Sequence, residues 1–363
     1  MTSPTSRALC PAAGHGDHPA AGAETQNLST ALRLITVSPT CLMNIYESVT
    51  QRILAQLEAG VVPWHKSWTT GLPKSLGTGR EYRGINLLVL GSSEDYTSRY
   101  WTTYREAQRL GGHVRKGERA TPVVYWKWRT QEELERLKQK TGKDALAPCV
   151  PFTSAVFNLD QVEGVPRPAD DIPLSREQRL QAAEGVFEVM PDKPEITHAL
   201  NAEPAYYPAT DRIVLPHLSQ FANADAYFAT LYHELTHATG APHRLNRFQD
   251  AQRDQPEKYS LEELVAEFGA AFLCGFAGLQ NPAREAQQAS YIEGWSRALR
   301  DDQRLLVRAA AAAQRAADYV RCKQVQREEL ALAEQPVAPF VERGSVSPAP
   351  AVSAESGAKL RLG

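Results

Sequence analysis

The sequence predicts an α+β fold, with a mixed α and β N-terminal part followed by a mostly helical C-terminal part. Three observations predict this class. Apolar residues recur at helical spacing in several segments of the second half. The segment TPVVYWKW, rich in β-branched and aromatic residues, indicates a strand in the first half. A stretch rich in Pro and Asp at 164–182 separates the two parts, and 363 residues are enough for two domains.

Composition sets the boundaries of these parts. The N-terminal end holds Pro, Ala, Gly, His, Ser and Thr in no periodic order, and the C-terminal end is rich in Glu, Pro, Ser and Ala, so we expect both ends to be disordered. The predicted order is a disordered extension at 1–42, a first domain at 43–163, a linker at 164–182, a second domain at 183–323 and a disordered tail at 324–363. Because Met43 opens the first patterned segment, translation from Met43 is an alternative to translation from Met1.

Charge, cysteine spacing and hydropathy exclude several classes of protein. Residues 44–129 hold 13 Lys+Arg and 7 Asp+Glu, a charge of +6, which leaves −8 for the remainder of a chain whose net charge is −2. The five cysteines form no C-x-x-C pair, which argues against a disulfide scaffold and a cysteine-based zinc finger. No run approaches about 18 apolar residues and no signal peptide is recognisable, so we predict a soluble, cytoplasmic protein without a membrane partner.

The first domain is predicted to mix helices and strands. Apolar residues spaced four apart predict an amphipathic helix over 45–57. The apolar run at 85–90 is compatible with a buried strand or a short helix, and periodicity does not decide between them. A helix over 102–110 is stopped by two glycines. A strand that begins near Pro122 is expected to pair with the segment 152–162 as a hairpin.

The second domain is predicted to be mostly helical. It begins with a helix over 175–190, followed by a hairpin through 206–214. After a motif-bearing helix, another helix is expected to start at Ser260, and two more follow around 289–299 and 302–320.

The motif-bearing helix, within NADAYFATLYHELTHATGAPH, carries the main candidate site. Asn223 is a plausible N-cap, and Gly240 is expected to end the helix in the left-handed conformation. His233 and His237 lie four residues apart on one face, with Glu234 beside them. This H-E-x-x-H pattern is typical of a zinc site in which the histidines bind metal and the glutamate acts as a base. The alternative is a pair of histidines satisfied within the core.

Two residues compete as the third zinc ligand. His243 completes the longer metzincin pattern, but no methionine follows the motif to form the methionine turn of that class. Glu263 resembles a gluzincin ligand, and Glu267, on the same helical face, would then hold a ligand histidine through its free N–H. The spacing from Ser260 to Glu263 also matches a capping box, which needs no metal. A catalytic zinc accepts either set of three ligands, and we favour Glu263.

The basic stretch combines aromatic and cationic side chains, as proteins that bind single-stranded nucleic acid do. Its interleaved residues are Trp64, Trp68, Trp101, Trp126 and Trp128 with Lys66, Arg80, Arg83, Arg115, Lys116, Arg119 and Lys127. The alternative is that the tryptophans form the core of a small domain and the charges form its solvated face.

Two groups of motifs resemble a known family. The first domain contains YESVTQRILAQLEAGVVPW, YRGIN, WTTYREAQRLGGHVRKGERATPVVYW and FNLDQ, which resemble the N-terminal single-stranded-DNA-binding domain of ArdC-type antirestriction proteins. The second contains HELTHATGAPHRLNR, YSLEELVAEFGAAFLC and SYIEGW, which are similar to the zincin-like metallopeptidase domain of that family. The resemblance implies a protein of conjugative plasmids or other mobile elements that binds incoming single-stranded DNA and helps it evade restriction.

The resemblance and the basic, aromatic pattern together indicate DNA-binding residues. These are Trp64, Lys66, Trp68, Tyr82, Arg83, Asn86, Trp101, Arg115, Lys116, Arg119 and Trp126. His65 stands where the P-W-x-K block of the family usually has an arginine, so we expect one phosphate contact to be weaker.

Two functions remain open from the sequence. In the first, the protein binds single-stranded DNA and hydrolyses a peptide substrate with a catalytic Zn²⁺, which lowers the pKa of its water to about 7. Glu234 would take the proton, and Tyr291 would steady the oxyanion. In the second, the protein masks single-stranded DNA without catalysis and the zinc is structural. The presence of Glu234, which is not a ligand, favours catalysis.

Overall fold

The computed structural model describes residues 39–323 except 66–67, 94–95, 143–148, 250–255 and 281–287. It describes no side chains at 39–44, 249, 256–260 and 288–291, where only the backbone is considered. The predicted disordered tail and most of the predicted disordered extension lie outside the described residues. None of the described helices has the length and apolarity needed to cross a membrane.

Helices and strands are both present, as the predicted α+β class requires. The helices are α1 Pro39–Glu58, α2 Ile85–Gly91, α3 Tyr104–Arg109, α4 Gln131–Thr141, α5 Arg176–Glu188, α6 Ala224–Ala238, α7 Pro256–Ala277, α8 Gln288–Asp301 and α9 Leu305–Val320. The strands are β1 Lys74–Ser75, β2 Tyr100–Thr102, β3 His113–Val114, β4 Thr121–Trp128, β5 Cys149–Asn158, β6 Val162–Glu163, β7 Glu195–His198, β8 Ala205–Tyr207 and β9 Arg212–Leu215.

The N-terminal part is built on a mixed four-stranded sheet with the order β1-β2-β5-β4. The predicted pairing of the strand near Pro122 with its downstream partner is confirmed, because β4 runs antiparallel to β5 from Thr121 opposite Val156 to Trp128 opposite Cys149. Helix α4 forms part of the connection between these strands. A separate antiparallel pair joins β3 to β6.

The apolar run at 85–90 forms helix α2, which the sequence left undecided between helix and strand. Every residue of α2 is buried, so the run has no polar face from which a helical period could be read. Asn86 anchors the helix to β4, since its side-chain amide donates to the Val124 carbonyl and its oxygen accepts from the Val124 N–H, both at 2.7 Å.

The C-terminal part carries a three-stranded sheet with the order β7-β9-β8. The predicted hairpin at 206–214 is confirmed, since β8 and β9 pair antiparallel. Strand β7, which pairs parallel with β9, was not predicted, because its four residues offer too short a pattern. The predicted helices at the second-domain start and C-terminal end are present as α5, α8 and α9.

One hydrophobic core runs through both parts of the chain. Trp64, from the N-terminal part, packs edge-on against Phe268 of α7 at 4.8 Å and against Trp295 of α8 at 5.2 Å between ring centroids. All described residues fall within a single compact unit. Within the predicted linker, Asp171 is buried and accepts from the Ser98 hydroxyl. That the two parts are separate domains therefore stays a prediction.

Candidate metal centre

Helix α6 presents the histidines of the H-E-x-x-H motif on a buried face. The helix begins as predicted, since the side chain of Asn223 accepts from the Ala226 N–H at 2.9 Å. His233 and Glu234 are 4% and 5% exposed. Two ionisable groups placed so deeply need charged or metal partners, because burying an uncompensated charge is costly.

The end of α6 differs from the sequence prediction. Gly240 does not adopt the left-handed conformation, since its φ angle is not positive. A Cβ at this position would lie 2.7 Å from the ring of Phe248, so the glycine serves close packing rather than helix termination.

Helix α7 supplies the carboxylates that face these histidines. It begins at Pro256, so Ser260 lies inside the helix and the alternative of a capping box is wrong. The two helices approach closely at Gly269, where a Cβ would lie 2.5 Å from the side chain of buried Thr236. The absence of a side chain on Gly269 therefore lets the carboxylates of α7 reach the imidazoles of α6.

Three of the predicted ligand side chains meet at one point. His233 Nε2 lies 3.1 Å from His237 Nε2, and each nitrogen lies 3.7 Å from one oxygen of Glu263. One ligand atom of each residue lies within 4.8 Å of the others. Two nitrogens bound to one tetrahedral zinc at roughly 2.0–2.1 Å would lie about 3.3 Å apart. The donor set and its spacing therefore fit a divalent metal bound by two imidazoles and one carboxylate.

A second layer of carboxylates orients both imidazoles. His233 Nδ1 lies 3.3 Å from Glu267 Oε1, and His237 Nδ1 lies 3.4 Å from Glu262 Oε1. A carboxylate that accepts the Nδ1–H fixes the tautomer and leaves Nε2 free to bind metal. The sequence predicted this role for Glu267 but missed Glu262. Adjacent residues on a helix point about 100° apart, so Glu262 and Glu263 were not expected to serve the same site.

The charges of the site are those of a pocket prepared for a cation. Burial lowers the pKa of His237, but the hydrogen bond that it donates to Glu262 and the charges of Glu263, Glu262 and Glu234 outweigh burial and raise that pKa to about 9. Burial raises the pKa of Glu262, but the charge of Arg247 and hydrogen bonds from His237 and Arg247 lower it to about 2. Arg247 donates to both Glu262 oxygens, at 2.8 and 3.1 Å.

Two further site candidates are His243 and Tyr291. His243 has a half-exposed side chain whose Nε2 is 3.5 Å from Asp211, so the structure brings Glu263 and not His243 to the paired histidines. Arg244, the next residue, donates to both oxygens of the same Asp211. The side chain of Tyr291 lies outside the described residues.

His65 reaches the metal centre from the N-terminal part. It ends a short 3-10 turn, Pro63–His65, whose Trp64 is buried against α7 and α8. The Nε2 of His65 lies 3.4 Å from Glu267 Oε2, and its side chain is 15% exposed. We expected a weakened phosphate contact here. The histidine instead contacts the carboxylate that orients His233, which no local sequence pattern indicated.

The predicted DNA-binding residues separate into a buried set and an accessible set. The buried set is Trp64, Trp68, Tyr82, Asn86 and Trp101. These side chains fill the core, so a base cannot stack on them while the fold stays closed. Lys66 lies outside the described residues.

The accessible set is dispersed over the N-terminal part. Arg115 pairs with Glu118 at 2.6 Å, and Lys116 and Arg119 are exposed nearby. Arg83 is partly buried and forms an ion pair with Asp318 of α9. Trp126 is half-buried on β4. Of these described residues, Arg83 and Trp126 line one pocket, whereas Arg115, Lys116 and Arg119 are not part of its lining.

Comparison with known families assigns both parts of the chain. Residues 43–157 match the family described as the N-terminal domain of anti-restriction factor ArdC. Residues 183–312 match the family described as zincin-like metallopeptidase. These matches agree with the order of parts that the sequence motifs predict.

Solved structures of one protein are similar over most of this chain. The metal-free structure of antirestriction protein ArdC from plasmid R388 has a TM-score of 0.60 and 37% identity, and the match covers 76% of this chain and 96% of that one. The Mn(II)-bound structure of the same protein has a TM-score of 0.59 and 34% identity, with 80% and 99% covered.

Relatives known from sequence differ in length. The uncharacterized protein y4eC of Sinorhizobium fredii is 35% identical, and the match covers 81% of this chain and 97% of that protein. Two proteins named DNA primase TraC, from Escherichia coli, are 36% identical over 80% and 77% of this chain. The chain spans only 28% and 20% of their length.

Proposed function

The chain belongs to the family of ArdC-type antirestriction proteins, and from this we propose that it is a mobile-element protein that binds single-stranded DNA and carries a zinc-dependent metallopeptidase-like site. The observation that supports the proposal most strongly is the convergence of His233, His237 and Glu263. It occurs in a chain whose N-terminal part matches the ArdC N-terminal domain. A site that suits a divalent metal agrees with the Mn(II)-bound structure of the R388 relative.

The donor set favours zinc over Mn²⁺ and Mg²⁺. Imidazole suits Zn²⁺ well, whereas Mn²⁺ and Mg²⁺ prefer carboxylate, carbonyl and water oxygens. Two of the three converging side chains are imidazoles. Glu262, which accepts from His237 Nδ1, and Glu267, whose Oε1 lies 3.3 Å from His233 Nδ1, increase the basicity of both ligands.

The residues around the site supply the proton chemistry of peptide hydrolysis. A zinc ion held here would act as a Lewis acid towards the scissile carbonyl and the attacking water. Glu234 follows His233 in the motif and is 5% exposed, and we assign it the role of the base that takes a proton from the water. Glu267 and Glu262 keep the imidazoles oriented during this step, and Tyr291 is the proposed donor to the oxyanion.

The proposal is tested by measuring three properties of the same protein: metal content, cleavage of denatured casein, and binding of a single-stranded oligonucleotide. Glu234→Gln keeps the size of the side chain and removes its basicity. We expect this variant to retain zinc and DNA binding and to lose proteolysis. Glu293→Gln, at an exposed position on α8, is the matched control.

A protein that binds zinc and DNA but cleaves nothing would support the alternative, a DNA-masking protein with a structural zinc. A protein that binds neither would refute the proposal. The antirestriction role is measured by the efficiency of plasmid transfer into a restricting host, with the wild-type gene or the Glu234→Gln gene on the plasmid. The masking alternative predicts equal protection by both genes, and the peptidase proposal predicts protection by the wild type alone.

A further inference from the structure

A basic groove of about 1050 Å³ lies between the N-terminal sheet and the end of α9. Its walls include Arg80, Tyr125 and Trp126 from the N-terminal part, and Phe276, Arg321 and Lys323 from the C-terminal part. Among the described lining side chains, five are cationic and one, that of Glu81, is anionic. The groove is therefore a surface to which both parts of the chain contribute positive charge.

Arg321 lines this groove and has buried hydrogen-bond donors that no described residue satisfies. The residue is only 9% exposed, and within the described part of the chain its Nε and Nη2 atoms have no hydrogen-bond partner. Its guanidinium lies over the ring of Phe276, 3.2 Å from the centroid. Leaving buried donors of a charged group unsatisfied costs free energy, so this position favours an anion. A guanidinium matches phosphate in particular, because its planar fork can donate two parallel hydrogen bonds.

Neighbouring cations strengthen the preference for an anion. Lys323 lies 5.7 Å from the same Phe276 ring. The pKa of Lys323 is lowered by burial and by the positive charges of Arg321 and Arg83, against the opposing charges of Glu81 and Asp318. Glu81, 3.9 Å from Lys323, and Asp318, which forms an ion pair with Arg83, compensate two of these three charges, and one positive charge is left over. A bound phosphate would relieve the mutual repulsion of the cations.

Exposed aromatic rings lie beside these cations. Tyr125 of β4 is 37% exposed and stacks on Phe152 of β5, which is 46% exposed, with ring centroids 5.5 Å apart and planes tilted by 25°. The two residues face each other across the hairpin, which accounts for their mutual contact. It does not account for two large rings left open to solvent beside a basic groove, an arrangement that suits the stacking of unpaired bases.

We propose that this groove binds single-stranded DNA, with Arg321 and Lys323 on phosphates and Tyr125 on an unpaired base. The inference rests on the proposed function and adds the location of the binding site. That location is shared by both parts of the chain, because Arg321 and Lys323 follow α9 and lie far outside residues 43–157, which match the ArdC N-terminal domain. A single strand is favoured over a duplex because only unpaired bases expose a face for stacking.

The test measures binding of a labelled oligo(dT) to the full-length protein over a range of salt concentrations. Lys323→Gln and Arg80→Gln should each reduce the slope of log affinity against log salt by about 0.7, and Arg321→Met should do the same. Tyr125→Ala should weaken binding about 5- to 150-fold. Arg297→Met on α8 and Tyr104→Ala at the start of α3 are matched controls at exposed positions outside the groove, and both should bind as the wild type does.

The outcomes separate the groove from the proposed function. A wild-type protein that does not bind oligo(dT) would refute the proposed DNA binding and the groove with it. Binding that is weakened by Arg115→Gln or Lys116→Gln but not by Lys323→Gln or Arg80→Gln would keep the proposed function and overturn the groove. Tighter binding of the matching oligoribonucleotide would overturn the assignment to DNA. Because Arg321 is buried and its replacement can destabilise the fold, the exposed Arg80 and Lys323 decide the result if Arg321→Met unfolds.

Discussion

The metal centre and the basic groove are both charged sites, but they are assembled in different ways. The metal centre takes its ligands from two neighbouring helices, within residues 233–267, and each ligand imidazole already faces an oriented carboxylate. The groove takes its side chains from segments as far apart as Arg80 and Lys323, and the buried donors of Arg321 have no hydrogen-bond partner among the residues that the structure describes. A site made from a local motif can be recognised in the sequence. A site made where distant segments meet is visible only after folding.

The largest effect is expected from substitutions of the metal ligands, which should abolish metal binding and leave the groove unchanged. His233→Ala or His237→Ala should reduce zinc affinity more than about 100-fold, since even residues that only orient ligands contribute 10- to 100-fold. Glu263→Ala should also lose most of the metal, whereas His243→Ala should keep it, because His243 contacts Asp211 instead. Zinc titration with a competing chelator measures these affinities. Equal retention by Glu263→Ala and the wild type would rule out the carboxylate ligand.

The next effect concerns the orienting carboxylate. Glu267→Gln keeps the size of the side chain but weakens the acceptor for His233 Nδ1, so zinc affinity should fall about 10- to 100-fold while oligo(dT) binding stays unchanged. The same titration measures it, with Glu293→Gln as the control. A loss of DNA affinity in Glu267→Gln would mean that the two sites are energetically linked.

A third prediction tests the close approach of α6 and α7. Gly269→Ala places a methyl group 2.5 Å from Thr236, so we expect a loss of about 1–3 kcal/mol in the free energy of unfolding and weaker zinc binding. Gly185→Ala on α5 is the control, because nothing lies within 4 Å of its Cβ, and it should gain up to about 1 kcal/mol. Urea unfolding of the metal-free proteins measures both. Similar stabilities for the two variants would show that the helices can separate without cost.

The smallest expected effect lies where the two parts of the chain meet. His65→Ala removes a contact to Glu267, which itself only orients a ligand, so zinc affinity should fall by less than about 10-fold. His113→Ala, at an exposed histidine of the N-terminal part, is the control. Chelator competition at several pH values would measure the difference. A loss of zinc affinity as large as that of His233→Ala would indicate that His65 is a ligand, and the metal centre would then not be built from residues 233–267 alone.

Much of the fold could be predicted from the sequence, but burial could not. The β4 and β5 pairing and the start of α6 at Asn223 follow from local patterns that the structure confirms. From the sequence, Trp64 and Trp101 could belong either to the core or to a surface on which bases stack. Only the packing of α7, α8 and the N-terminal sheet shows that they are buried. The prediction that Gly240 is left-handed was wrong, because the glycine is required by its close contact with Phe248 and not by the end of the helix.

The sequence by itself determined the α+β class, the order of the two parts and the paired histidines of one helix, because each depends on residues close together in the chain. Tertiary structure alone decided that Glu263 and not His243 meets those histidines, that Glu262 shares their site, and that His65 reaches them. It also decided that Arg321 and residues of β4 line the same groove. The physical reason is that periodicity and capping act within a few residues, whereas burial and charge juxtaposition depend on which distant surfaces pack together.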